Sequence, residues 1–125
     1  MLIRFALLLH AVAVIAGFAA MIGCTCSDAL MYKAESPDHA LVATAFERDC
    51  GATTDFSRIV TIGRPSDNYK EERNIVFVVK GQHPVNLKWT APRKLDVECL
   101  CPRRSVFRQV TALGDIDISY TPFQE

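Results

Sequence analysis

The feature that most constrains the fold is a series of short apolar runs separated by turn residues. The runs begin about ten residues apart, a spacing that is typical of an all-β sandwich or barrel. The strongest run, residues 74–80, has five consecutive apolar residues and is expected to be buried on both faces. The sequence therefore predicts an all-β domain, a small antiparallel sandwich or open barrel of about seven or eight strands. An N-terminal apolar helix is expected to precede it.

Two of these runs alternate strictly between apolar and polar residues, so each should bury one face. Val85, Leu87 and Trp89 share one face of their run, and a core position is expected for Trp89. Leu95, Val97, Cys99 and Cys101 share one face of the next run. The last two runs are expected to form a hairpin across Gly114 and Asp115. The predicted strands cover residues 29–33, 41–47, 56–62, 74–80, 85–89, 95–101, 106–113 and 116–120.

The N-terminal segment has the composition of an export signal. Residues 1–4 carry one positive charge, and residues 5–23 are apolar apart from His10. We expect residues 1–23 to be a signal peptide of the lipoprotein type or a membrane anchor. Residues 24–35 would then be a tether and first strand, and residues 36–125 the β-domain.

Three ways of processing this segment remain open. Met21-Ile22-Gly23-Cys24 resembles a bacterial lipobox, in which the cysteine is lipidated after cleavage, and several acyl chains suffice for stable anchoring. An uncleaved helix is the second reading, because the 19-residue apolar run is just long enough to span a membrane. Ordinary cleavage to a soluble product is the third. All three put residues 27–125 outside the cytoplasm, and Thr25 in place of Asp slightly favours the outer membrane in a Gram-negative host.

The overall charge of the chain is close to balanced. The full chain has 14 basic and 14 acidic side chains, and Arg4 is the only charged residue among residues 1–23, so the remainder carries a formal charge of −1. That balance gives no sign of binding to nucleic acid or to an anionic membrane surface. About 100 residues remain for the domain, which is enough for a single core of modest size.

The chain contains five cysteines, and in an exported protein cysteines are expected to form disulfides. With Cys24 as the lipidation candidate, the disulfide candidates are Cys26, Cys50, Cys99 and Cys101. The last two stand two apart in a predicted strand, where a bridge between them would be strained. We therefore expect Cys50 to bridge to one of them and Cys26 to the other, each closing a loop of about 50 residues or more. A zinc site from the same four thiols is the rival, and it is disfavoured by the oxidising location.

The densest run of reactive and small polar side chains is residues 48–57, Arg-Asp-Cys-Gly-Ala-Thr-Thr-Asp-Phe-Ser. Its spacing does not match a calcium loop. The favoured interpretation is a structural corner, in which Gly51 supplies a positive φ and neighbouring side chains satisfy the backbone. The competing interpretation is a binding corner formed by Asp49, Thr53, Thr54, Asp55 and Ser57.

A basic cluster occurs late in the chain, but acids lie among its members. Asp96 and Glu98 favour a solvated face of mixed charge over a site for anionic partners. The members of the cluster are Arg93, Lys94, Arg103, Arg104 and Arg108.

Several stretches together resemble a family of small exported bacterial proteins of unknown function. Residues 48–57 are the most specific of them. Two features depart from the family pattern, since His39 stands where a turn usually has Gly, and Cys99 and Cys101 form an unexpected pair. The resemblance implies export and an all-β fold, and it transfers no catalytic residues. The matching stretches are residues 36–38, 48–57, 85–89, 95–97, 106–108 and 118–122.

The sequence favours a non-enzymatic, envelope-tethered β-domain with a binding or protective role. Its expected partners are the membrane, through the N-terminal lipid or helix, and an envelope protein. We expect no catalytic residues, metal or cofactor. The alternative is a small periplasmic hydrolase or redox protein that uses Cys50 or the Cys99/Cys101 pair. Such an enzyme would need a base near the nucleophile, and His39 and His83 are the only histidines after the leader.

Overall fold

A computed structural model describes residues 25–121 and has nine strands in two sheets. Two single-turn 3₁₀ helices, Glu72–Asn74 and Arg103–Ser105, lie in the connections. The all-β prediction is confirmed, although the strands outnumber the seven or eight expected. The strands are β1 Ser27–Glu35, β2 Val42–Asp49, β3 Ser57–Gly63, β4 Ile75–Lys80, β5 Val85–Ala91, β6 Lys94–Cys99, β7 Val106–Gln109, β8 Ala112–Leu113 and β9 Ile116–Tyr120.

The first sheet has the order β1-β2-β3-β4-β7, and every neighbouring pair in it is antiparallel. The second sheet has the order β5-β6-β9-β8. Its β6 and β9 are parallel, whereas its other two pairs are antiparallel. The parallel pair arises because the chain leaves the second sheet after β6, adds β7 to the first sheet, and returns in the same direction.

The prediction of one strand over residues 106–113 is wrong, because the chain changes sheets in the middle of that run. Val110 donates its N–H to the carbonyl of Val76 in the first sheet, at 2.8 Å. The next residue, Thr111, accepts from the N–H of Ile118 in the second sheet, at 2.9 Å. A period-2 pattern reports the face of a residue but not its sheet, so it does not reveal this transfer. The hairpin across Gly114 and Asp115 is confirmed, with the two-residue β8 as its first arm.

The main core lies between the two sheets and takes side chains from both. Leu95, Val97, Cys99 and Cys101 are all fully buried, as their alternation predicts. Val85 and Leu87 are buried, while Trp89 packs against the core from a partly buried position. The double-sided burial predicted for β4 is also observed, because Val76, Phe77 and Val79 join the main core while Ile75 joins a second cluster.

That second cluster lies on the opposite face of the first sheet. Phe46, Ile59 and Ile75 form it, and the loop between β3 and β4 covers them. Tyr69 of this loop packs its ring edge-on against Phe46, with centroids 5.3 Å apart. Thr61 anchors the loop by donating its hydroxyl to the carbonyl of Tyr69, at 2.7 Å. The loop therefore covers one part of the outer face and leaves another part open.

The apolar helix predicted for the N-terminal segment and the lipidation candidate Cys24 lie outside the described residues. Within residues 25–121, no helix is long and apolar enough to cross a membrane. The strand register defines two ends of the sandwich. The end that holds Ser27, Asp49, Ser57 and Lys80 in paired positions is called the proximal end, because the N-terminal segment joins the domain there. The opposite end is called the distal end.

Candidate functional site at the proximal end

The corner between β2 and β3 has the features of the structural corner that was predicted from the sequence. Gly51 has φ of +115°, which is a conformation that side-chain-bearing residues rarely adopt. Asp49 accepts the Gly51 N–H on Oδ1 at 2.9 Å. Thr54 donates both its backbone N–H and its hydroxyl to the Gly51 carbonyl, each at 3.2 Å. The corner thus satisfies both backbone groups of Gly51 from within, as expected for a tight connection.

All four predicted disulfide cysteines are bridged, but the predicted pairing is wrong. The bridges join Cys26 to Cys50 and Cys99 to Cys101, with sequence separations of 24 and 2. The expected loops of about 50 residues are therefore not closed.

Strand register explains the first bridge. Ser27 pairs with Asp49, so Cys26 and Cys50 stand opposite each other one step beyond the last pair, with Cα atoms 4.0 Å apart. The second bridge forms because β6 ends at Cys99 instead of continuing to Cys101. Leu100 still donates its N–H to the carbonyl of Pro84 on the neighbouring chain segment, at 3.0 Å, and the chain bends at Cys101. Because of this bend, Cys99 and Cys101 are not held in one extended strand, so the strain expected for a bridge between them does not apply.

A groove of about 420 Å³ opens beside the corner, on the uncovered part of the outer face. We call it the corner groove. Val78 and Phe107 give it an apolar side, and the other lining residues are mostly polar or charged. Four of the five residues proposed as a binding corner are therefore brought together here, whereas Asp49 is used to cap Gly51. The lining residues are Cys50, Thr53, Thr54, Asp55, Ser57, Val78, Lys80 and Phe107.

Val78, Lys80 and Phe107 line the groove but were not predicted as site residues, and Phe107 is the most exposed of them. It is 68% exposed, the largest exposure among the large apolar side chains of residues 25–121. Val78 pairs with Arg108 while Val79 pairs with Val106, so Phe107 is the extra residue of a β-bulge in the edge strand β7. A β-bulge at a sheet edge changes the direction in which a side chain points. The run Val106-Phe107-Arg108 looks like an ordinary strand in the sequence, and it carries no signal of the bulge.

Ion pairs connect neighbouring strands at the proximal end. Arg48 binds both carboxylate oxygens of Asp28, at 2.8 and 3.1 Å, and these hydrogen bonds raise the pKa of Arg48. Arg58 approaches Glu47 at 3.3 Å and donates to the carbonyl of His83 at 2.7 Å. These contacts connect β1, β2, β3 and the β4–β5 turn. At the groove itself, Lys80 and Asp55 are both exposed and 3.7 Å apart.

The predicted basic cluster is divided between the two ends of the sandwich. Arg93 is at the distal end, where it contacts Asp38 at 3.3 Å and Asp115 at 3.4 Å. Arg103, Arg104 and Arg108 are exposed near Phe107, because the connection from β6 to β7 runs along the proximal end. The sequence places all five cations close together, but the fold separates them.

The groups considered for catalysis or metal binding have other roles here. Cys50 is bridged, and His39 lies in the distal turn with its Nδ1 2.8 Å from a Glu35 carboxylate oxygen. Within residues 25–121 there is no group of three or more His, Cys, Asp or Glu side chains that could hold a metal ion.

Comparison with known proteins found no matching family model, no matching curated protein and no matching solved structure. The functional interpretation therefore depends on the corner groove and on its position at the proximal end.

Proposed function

We propose that this chain is an exported, envelope-tethered β-domain that acts by binding, with the corner groove as its binding surface. Two disulfides are compatible with an oxidising compartment outside the cytoplasm. The apolar residues 5–23, followed by Cys24, support attachment to a membrane through a lipid or a helix.

The main support for the proposal is that the side chain of Phe107 is exposed beside a corner that is held in place by the Cys26–Cys50 disulfide. An aromatic side chain that is 68% exposed is costly to hydrate, and aromatic anchors carry much of the affinity of binding surfaces. The hydroxyls of Thr53, Thr54 and Ser57 lie on the other side of the same groove. The Cys26–Cys50 bridge and the Asp49 contact hold that side in place, so little conformational freedom is lost on binding.

Attachment is tested by changing Cys24 to Ala in the full chain. For a lipoprotein, the variant should lose all incorporation of labelled fatty acid and move out of the membrane fraction. A matched Cys26→Ala change removes a neighbouring cysteine and should leave labelling intact. Membrane fractionation that is unchanged in the Cys24 variant, without label in either protein, would favour an anchor helix. Recovery of the unaltered chain in the soluble fraction would refute tethering.

Binding at the groove is tested by placing a photoreactive residue at position 107 in the full chain, expressed in its host envelope. Ala112, which is exposed on β8 near the distal end, is the matched control position. We expect adducts at position 107 that are absent at position 112. Equal or absent adducts at the two positions would show that the groove is not a binding surface.

A second candidate is a redox or hydrolytic function of Cys50, and one observation favours it. Cys26 is exposed and Cys50 is partly exposed, so a reductant can reach their bridge and release a thiol beside the groove. Counting thiols on the non-reduced protein distinguishes a resting nucleophile from a stable bridge. One or more accessible thiols at Cys26 or Cys50 would favour the enzyme.

A further inference from the structure

We propose that the proximal end docks on the anionic surface of the membrane to which the N-terminal segment attaches, with Phe107 entering the lipid interface. This inference rests on the proposed tethering and names the partner of the corner groove. Three observations support it: the length of the connection, the exposed apolar side chains, and the local charge.

The connection between the attachment point and the folded domain is extremely short. Cys26 is bridged to Cys50 at the proximal end, and Thr25 is the only residue between Cys26 and the lipidation candidate Cys24. Two residue steps span at most about 7 Å, even when fully extended. An anchor helix ending near Gly23 would leave a connection of similar size. With either type of anchor, the proximal end is therefore the part of the domain nearest to the membrane surface.

The proximal end exposes apolar side chains suited to that position. Phe56, Leu100 and Phe107 are 37%, 48% and 68% exposed, and all three lie in or beside the connections at this end. The other two exposed large apolar residues, Leu30 and Met31, are in β1, so none of the five is in a distal turn. Aromatic and leucine side chains partition favourably into the interface between headgroups and acyl chains.

The charge around Phe107, within the proximal end, is complementary to an anionic surface. Lys80, Arg103, Arg104 and Arg108 are exposed there. Elsewhere at this end the acids offset the cations, because Asp55 offsets Lys80 and Asp49, Glu72 and Glu98 keep their negative charges. Asp28 binds Arg48, Glu47 binds Arg58, Asp49 caps Gly51, and Asp55 faces Lys80. The basic character is therefore confined to the arginines around Phe107.

The formal charge of −1 for the chain after its leader therefore does not describe the surface around Phe107. Anionic lipids attract such a basic surface over about a Debye length, and the short connection keeps it within that range.

The distal end is different and provides the internal control. Its ion pairs combine both signs, with His39 near Glu35 and Arg93 between Asp38 and Asp115. Trp89 lies toward this end on β5, where its indole contacts Ala34. Its native fluorescence should not respond to lipid.

The test uses the full chain reconstituted into vesicles that contain brominated lipids, which quench nearby tryptophan. Phe107→Trp is compared with Ala112→Trp, and both keep Trp89 as background. Co-flotation with vesicles reports tethering, and quenching reports which end faces the bilayer. In phosphatidylglycerol–phosphatidylethanolamine vesicles we expect both variants to co-float and only the tryptophan at position 107 to be quenched.

Charge is tested with Arg104→Gln and Arg108→Gln in the Phe107→Trp background, with Arg93→Gln and Lys94→Gln as the matched distal pair. Each removed proximal charge should lower the ratio of docked to undocked protein about fivefold on anionic vesicles. The distal changes should have no effect, and phosphatidylcholine vesicles should give weak quenching throughout. Circular dichroism of each variant verifies that the fold is retained.

The outcomes separate the two proposals. Co-flotation with equal quenching at positions 107 and 112 would overturn docking and leave tethering in place. Absence of co-flotation would overturn both. Burial of Phe107 in a dimer in detergent, without quenching in vesicles, would replace the membrane with a second copy of the chain as the partner. Equal quenching at position 107 on neutral and anionic vesicles would overturn the selection of anionic lipid.

Discussion

The indole N–H of Trp89 donates a hydrogen bond to the backbone carbonyl of Ala34, at 2.8 Å, and so joins the edge strands of the two sheets. Trp89 belongs to β5 and Ala34 to β1, which are edges of different sheets. Tyr32 reinforces this contact by donating its hydroxyl to Val85, at 3.0 Å. The edges are thereby held together by side chains, without a continuous ladder of backbone hydrogen bonds.

Changing Trp89 to Phe should lower the free energy of unfolding by about 1–2 kcal/mol, because the Ala34 carbonyl loses its donor. Urea unfolding followed by circular dichroism measures the effect. Lys88→Ala, on the exposed face of the same strand, is the matched control and should change stability little. A Trp89 variant as stable as the native chain would indicate that packing alone joins these edges.

Tyr120 joins the sheets on the opposite side and should make stability dependent on alkaline pH. Its hydroxyl lies 2.6 Å from the Val110 carbonyl and 3.1 Å from that of Val76. Burial disfavours the phenolate and raises the pKa of Tyr120 to about 12, from 10.0.

Because the folded pKa is above the unfolded value, the stabilisation by Tyr120 is complete below pH 10 and is lost as pH rises toward 12. We expect the native chain to lose stability more steeply than Tyr120→Phe between those values. Denaturant midpoints at a series of pH values measure this difference. Tyr32, whose pKa is also raised, is present in both proteins and cancels from the comparison. Parallel pH curves for the two proteins would contradict the assignment to Tyr120.

The two disulfides should differ in their accessibility to reductant. Cys26 is exposed and Cys50 is partly exposed, whereas Cys99 and Cys101 are fully buried. Mild reduction of the folded protein, followed by alkylation and mass spectrometry, should label only the first pair. Labelling of both pairs at the same rate would contradict this expectation, unless the protein had unfolded first. Circular dichroism before quenching monitors that possibility.

Removing the Cys26–Cys50 bridge should lower the free energy of unfolding, and its effect on binding at the corner groove should be smaller. The double change Cys26→Ser and Cys50→Ser releases a loop with a sequence separation of 24, which in the chain-entropy model is worth up to about 3.5 kcal/mol. Thermal and urea unfolding measure the loss. Unchanged stability together with loss of adducts at position 107 would mean that the bridge serves the binding site instead of the fold.

Changing His39 to Gly should stabilise the distal turn. His39 has φ of 59°, a left-handed conformation that costs a side-chain-bearing residue about 1 kcal/mol or more. Its contact with Glu35 is exposed and contributes little. We expect a gain of roughly 0.5–1 kcal/mol in the free energy of unfolding. His39→Ala removes the same contact but retains the strain, so it should be less stable than His39→Gly. The reverse order would contradict the backbone explanation.

Much of the fold could be predicted because local patterns encode it. Alternation identified the buried faces of β5 and β6, and the apolar run identified β4 as a strand buried on both faces. Gly51 and Asp49 behave as their residue types suggest in a tight connection. These properties depend on a few neighbouring residues, and so they can be read along the chain.

By itself, the sequence determined the all-β class, most strand positions, the four disulfide cysteines and the structural character of the corner. Only the tertiary structure decided which cysteines pair, that residues 106–113 divide between two sheets, and that Phe107 is turned outward by a bulge. It also separated Arg93 from Arg103 and Arg104. The physical reason is that a period-2 pattern specifies the face of each residue, whereas strand register and sheet order depend on contacts between residues distant in the chain.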